Sequence, residues 1–97
     1  MNERKLYLKA LHKWGIERQF YILIEECAEV QKECTKILRS KKLDIEHLND
    51  LFLEIVDLEI MLDKMKVYFD MNKDIKKLMK QHKKEKLELI RRKLKDE

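Results

Sequence analysis

The sequence predicts an all-α fold: a small, four-helix-bundle-like domain with two long central antiparallel helices, completed by oligomerisation. Three observations predict it. The 97 residues contain no proline and a single glycine, which argues against a turn-rich β fold and against a Pro/Gly linker. Leu, Lys, Glu and Met, all strong helix formers, fill much of the chain. Apolar residues recur at spacings of three and four, the period of a helix face.

The first helix is short, about residues 3–13, with Leu6, Leu8 and Leu11 as its apolar side. Trp14-Gly15 breaks it, because glycine is the natural residue for a turn. The second runs from about Ile16 to Arg39. Its stripe of Phe20, Leu23, Ile24, Cys27, Val30, Cys34, Ile37 and Leu38 is expected to be buried. Beside that stripe lies a second line, Ile22, Glu26, Glu29 and Glu33, also three or four apart. The connection falls in Ser40–Glu46, with Asp44 as a capping carboxylate.

The third helix runs from about Ile45 to Phe69 and repeats the arrangement. Leu48, Leu51, Phe52, Ile55, Leu58 and Leu62 form a stripe, and Asp50, Glu54, Asp57 and Met61 form the line beside it. Leu53, Val56, Ile60 and Val67 give it a further apolar side, which a second copy would cover in a homodimer or a dimer of dimers. Coverage by the first and fourth helices is the alternative. Asp70, Asn72 and Asp74 supply turn and cap chemistry before a lysine-rich fourth helix, about Lys73 to Lys93. No repeat or low-complexity linker divides the chain, so residues 1–97 read as one domain.

Cys27 and Cys34 are two helical turns apart, roughly 10 Å by the helical rise, too far for a disulfide. They read as buried thiols in a reducing compartment. With neither a signal peptide nor a membrane span in the sequence, a cytoplasmic location is expected. The formal net charge is +4, unevenly spread: residues 44–63 are acid-rich and 73–95 are lysine-rich. The basic part suits an anionic partner and the acidic part a cation. Nucleic acid is not an expected partner, because the central acidic stretch would repel phosphate.

Glu26 and Glu29 form one i,i+3 pair, and Glu54 and Asp57 another. If the two long helices pack antiparallel, the pairs can converge. Carboxylates gathered in a partly buried groove repel one another, and hard cations such as Mg2+ or Mn2+ relieve this through oxygen ligands. Carboxylate pairs on facing helices are one way helix bundles hold metals. No Glu-x-x-His accompanies the pairs, so di-iron chemistry is disfavoured, and His12, His47 and His82 are scattered. Solvated faces and salt bridges would also explain this spacing, and the residues alone leave both readings open.

Glu25-Glu26-Cys27-Ala28-Glu29 reads as E-E-x-x-E, and Glu54-Ile55-Val56-Asp57 as E-x-x-D. Together with Trp14-Gly15, Gln19, Leu23-Ile24 and the run Asp57–Leu62, this resembles the MazG-like branch of the all-α nucleoside triphosphate pyrophosphohydrolases, over about residues 12–90. The resemblance implies cleavage between the α and β phosphates, giving nucleoside monophosphate and pyrophosphate. It implies Mg2+, with Mn2+ able to substitute, held by Glu26, Glu29, Glu54 and Asp57, and a supporting role for Glu25. Lys32, Lys36, Lys77, Lys84 and Arg91 are the candidates to neutralise phosphate, and Trp14, Tyr21 or Phe20 to meet the base, with a core role as the alternative for Phe20. Family members usually form dimers or tetramers. Where longer relatives often carry an asparagine-containing phosphate motif, this chain has only Asn72. The alternative function is a helical partner-binding or nucleic-acid-associated regulatory protein with a degenerate site.

Overall fold

The structure is a computed structural model describing residues 1–96. It contains three helices: α1 (Glu3–Ser40), α2 (Ile45–Tyr68) and α3 (Lys73–Asp96). The break expected at Trp14-Gly15 is a kink, so the first two predicted helices are continuous in α1. Gly15 sits at φ 80°, ψ 163°, a region open essentially to glycine alone.

Polar caps fix the ends. The Asn2 side chain accepts from the Lys5 amide, and the Asp44 carboxylate from the His47 amide at 2.9 Å. Asn72 is spent in the same way: its side-chain oxygen accepts from the amides of Asp74 and Ile75, starting α3. α1 closes on Lys41 in the left-handed conformation, whose amide donates to the Ile37 carbonyl.

α1 and α2 pack as an antiparallel pair. Lys64 Nζ donates to Gln19 Oε1 at 3.4 Å, and the Tyr68 hydroxyl to the Tyr7 carbonyl at 2.9 Å. Tyr68 and Lys64 are about one turn apart on α2, whereas their α1 partners lie on opposite sides of the kink. Gly15 therefore turns the N-terminal arm across the end of α2. An Arg4–Asp70 ion pair ties that arm to the corner after α2.

The seam between the helices differs from the sequence expectation. On α1 it follows the polar line, Gln19, Ile22, Glu26, Glu29 and Glu33, all buried or half-buried. On α2 it follows Leu51, Glu54, Leu58, Met61 and Met65, again at alternating steps of three and four. The stripe expected to be buried on α1 is largely outside: Phe20, Ile24, Cys27, Cys34 and Leu38 are exposed, both cysteines with free thiols. Phe52 and Leu62 of the α2 stripe are exposed as well. Both lines fit a helical period, and the apolar partners on α2 took the polar one.

Within one chain the helices do not close into a bundle. α3 packs against neither α1 nor α2 and has no buried residue. Among the described residues, the buried apolar side chains are Tyr7, Ala10 and Met61. The radius of gyration is 17.1 Å, against about 13 Å for a compact domain of this length. No helix of the described residues is long and apolar enough to cross a membrane.

Candidate metal centre

Antiparallel pairing carries Glu26 of α1 to Glu54 and Asp57 of α2. One carboxylate oxygen from each lies within 4.8 Å of the others. Glu26 and Glu54 are half-buried in the seam and Asp57 is exposed at its edge, so the group is open to solvent on one side. Three carboxylates at this distance supply the hard oxygen donors that Mg2+ and Mn2+ prefer, and the donor set fits such an ion.

The electrostatics agree with the geometry. Burial pushes the Glu26 carboxyl above the usual carboxylate range, and the charges of Asp57, Glu54, Glu25 and Glu29 add to it. Glu54 is raised too, first by burial and then by Asp57, Glu29 and Glu33, with Lys32 opposing. Desolvation and like charge both disfavour the ionised forms. A divalent cation would offset both.

Glu29 falls outside the converging trio, half-buried one turn along α1, yet its charge acts on both Glu26 and Glu54. Glu25 is exposed beside Glu26. Lys36 is turned to Glu33, with Nζ 3.2 Å from Oε1. Trp14 is exposed at the kink, with Lys13 Nζ 5.2 Å from the ring centroid. Lys77, Lys84 and Arg91 line an open basic furrow on α3 with Lys80 and Lys83. Since α3 packs on neither other helix, one chain does not bring that furrow against the carboxylates.

Two buried polar residues were not assigned a role from the sequence. Glu33 is buried at the far end of the polar line with Lys36 as its partner. Gln19 is fully buried; its Oε1 accepts from Lys64, while its Nε2 has no partner. The three-and-four spacing from Gln19 through Glu33 was the available signal that a polar line lay inside.

No family model, curated protein or solved structure matches the chain.

Proposed function

We propose that this protein is a Mg2+-dependent nucleoside triphosphate pyrophosphohydrolase that works as a homodimer or a dimer of dimers. The observation that supports it is the convergence of Glu26, Glu54 and Asp57 across a polar helix seam, where three carboxylates face one another within 4.8 Å. Three carboxylates gathered at a half-buried seam repel one another and cost stability unless a cation joins them.

In this reading Glu26, Glu54 and Asp57 hold the ion, and Glu29 completes the set or takes a proton from the attacking water. Bound Mg2+, or Mn2+ in its place, would supply positive charge to the polyphosphate oxygens and favour ionisation of water. Water adds at phosphorus, the α–β bridging bond breaks, and pyrophosphate leaves with that oxygen. Lys32, already close enough to oppose the rise at Glu54, is the best placed of the lysines to neutralise phosphate. Trp14, exposed with Lys13 Nζ over its ring, is the candidate to stack on a base. Lys36, engaged by Glu33, becomes a positioning group.

Product analysis with a panel of ribo- and deoxyribonucleoside triphosphates tests this. Monophosphate plus pyrophosphate should appear with Mg2+ or Mn2+ and disappear in Asp57→Ala. No such products, or activity that survives the substitution, would refute it. A partner-binding role without catalysis is the second reading, favoured by the exposed apolar faces of α1 and α2. Metal binding with no turnover of any triphosphate would select it.

A further inference from the structure

α3 carries the densest positive charge of the chain. Across it, eleven Lys and Arg stand against four Asp and Glu. Five of these cations, Lys77, Lys80, Lys83, Lys84 and Arg91, line a furrow of about 690 Å³ that runs along the helix, and no carboxylate lines it. Lys77, Lys80, Lys83 and Lys84 enter no ion pair among the described residues, whereas Arg91 Nη1 lies 3.2 Å from Glu88 Oε2. The four acids, Asp74, Glu85, Glu88 and Asp96, share one arc of the helix by the 3.6-residue turn. A basic stripe separated in this way from acidic groups is the electrostatic footprint of a polyanion site.

The furrow stands apart from the rest of the fold. At the corner after α2, Ile75 and Met79 share an open pocket with Leu62, Met65 and Phe69. No residue lines both that pocket and the furrow. The acid-rich stretch 44–63, which would repel phosphate, belongs to α2 and its cap and contributes nothing to the furrow's lining. The carboxylate centre, on α1 and α2, is likewise separate from it.

We propose that this furrow binds the phosphate backbone of a nucleic acid duplex without reading its sequence. Three features select that ligand among anions. The first is length. From Lys77 to Arg91 the furrow runs roughly 21 Å at the helical rise, and a duplex presents on the order of twelve phosphate charges over that distance. A free triphosphate would fill only a part of it. The second is the lining. Among the described residues, Leu87 is the furrow's one apolar wall, whereas a helix lying in a lipid surface buries an apolar face. The third is the absence of Phe, Tyr and Trp from α3, which leaves no platform on which unpaired bases stack. Lysine contacts to phosphate fix position and carry no sequence information. The proposal does not rest on the hydrolase function, and its test uses neither divalent metal nor nucleoside triphosphate substrate.

The full chain is titrated into a fluorescein-labelled DNA duplex, with binding read by fluorescence anisotropy at rising salt. If each of the five cations releases one condensed counterion, affinity should fall about 500-fold between about 50 and about 200 mM salt, a slope of about −4.5 in log K against log salt. The double variant Lys80→Ala, Lys84→Ala, with helicity checked by circular dichroism, should bind more weakly at low salt and shrink that fall to about 40-fold. Lys5→Ala with Lys42→Ala removes the same charge outside α3 and should keep the wild-type slope. A second duplex of scrambled sequence should bind equally well. No binding at low salt, an equal loss of slope in the Lys5 and Lys42 variant, or affinity for one sequence alone would overturn the proposal. Two other occupants would overturn it as well. One is a vesicle of phosphatidylserine and phosphatidylcholine that is bound where the duplex is not. The other is inorganic triphosphate that displaces the duplex at equal phosphate concentration, which would make the furrow a small-anion site.

Discussion

Glu54 on α2 adds its charge to the burial that raises the Glu26 carboxyl on α1, and Asp57 and Glu29 act on both carboxyls. The relationship crosses the seam that holds the two helices together. Stability and the proposed cation binding are therefore linked at the same side chains.

The first prediction concerns pH. Both carboxyls bind protons more tightly in the folded protein than in the unfolded chain. Between the unfolded and the raised folded values the native state carries more protons, so stability falls as pH rises through that window. Without divalent metal, the melting temperature should climb when the protein is acidified from neutral pH toward the carboxylate range. Glu54→Gln should flatten that climb and raise the melting temperature at pH 7. An unchanged profile in the variant would show that the cluster is too well solvated to matter.

Cation binding should reverse this dependence. A ligand that binds only the native state stabilises it by about 2.7 kcal/mol at about 100 times its Kd. Added Mg2+ should raise the wild-type melting temperature at pH 7 and lose that effect at acid pH, where protons compete for the carboxylates. Glu54→Gln and Asp57→Asn should both be indifferent to Mg2+.

Gly15→Ala should destabilise the protein by about 1–3 kcal/mol, the usual cost of a non-glycine residue in a sparsely populated backbone region. The site has open space, since an added Cβ would meet nothing within 4 Å. The cost comes from the backbone alone, and chemical denaturation would measure it. A neutral effect would mean that the arm before Gly15 can straighten freely.

Tyr68→Phe removes the donor to the Tyr7 carbonyl and should cost about 1 kcal/mol. Hydrogen exchange should rise in the arm before Gly15 and stay unchanged around Glu26, because the kink separates the two segments. A uniform rise along α1 would contradict that separation.

Much of this was legible in the sequence, for identifiable reasons. Composition excluded strands, glycine marked the kink, and Asp44 capped α2 as its spacing suggested. The choice between two helical lines on α1 was not legible. Phe20, Ile24 and Leu38 outrank Glu26, Glu29 and Glu33 in hydrophobicity, so burial energy alone favours the wrong face. What decided it is tertiary: the α2 face formed by Leu51, Leu58 and Met61 meets the polar line. The outward stripes of both helices are left largely exposed in a single chain. The position of α3 was beyond a reading by periodicity, which finds a helix and its faces but not its partner. Among the carboxylates, spacing grouped Glu26 and Glu29 as equals. Only the pairing geometry separated Glu26, facing Glu54 and Asp57, from Glu29 one turn away.

The most direct test of the carboxylate centre is a Mn2+ titration followed by electron paramagnetic resonance, which reads the free aqueous ion. Wild-type protein at pH 7 should deplete the free Mn2+ signal to a saturable endpoint, and excess Mg2+ should restore it. The triple variant Glu26→Gln, Glu54→Gln, Asp57→Asn, shown folded by circular dichroism, should leave the signal untouched. A wild-type protein that leaves free Mn2+ unchanged, or a triple variant that binds it equally well, would contradict the account.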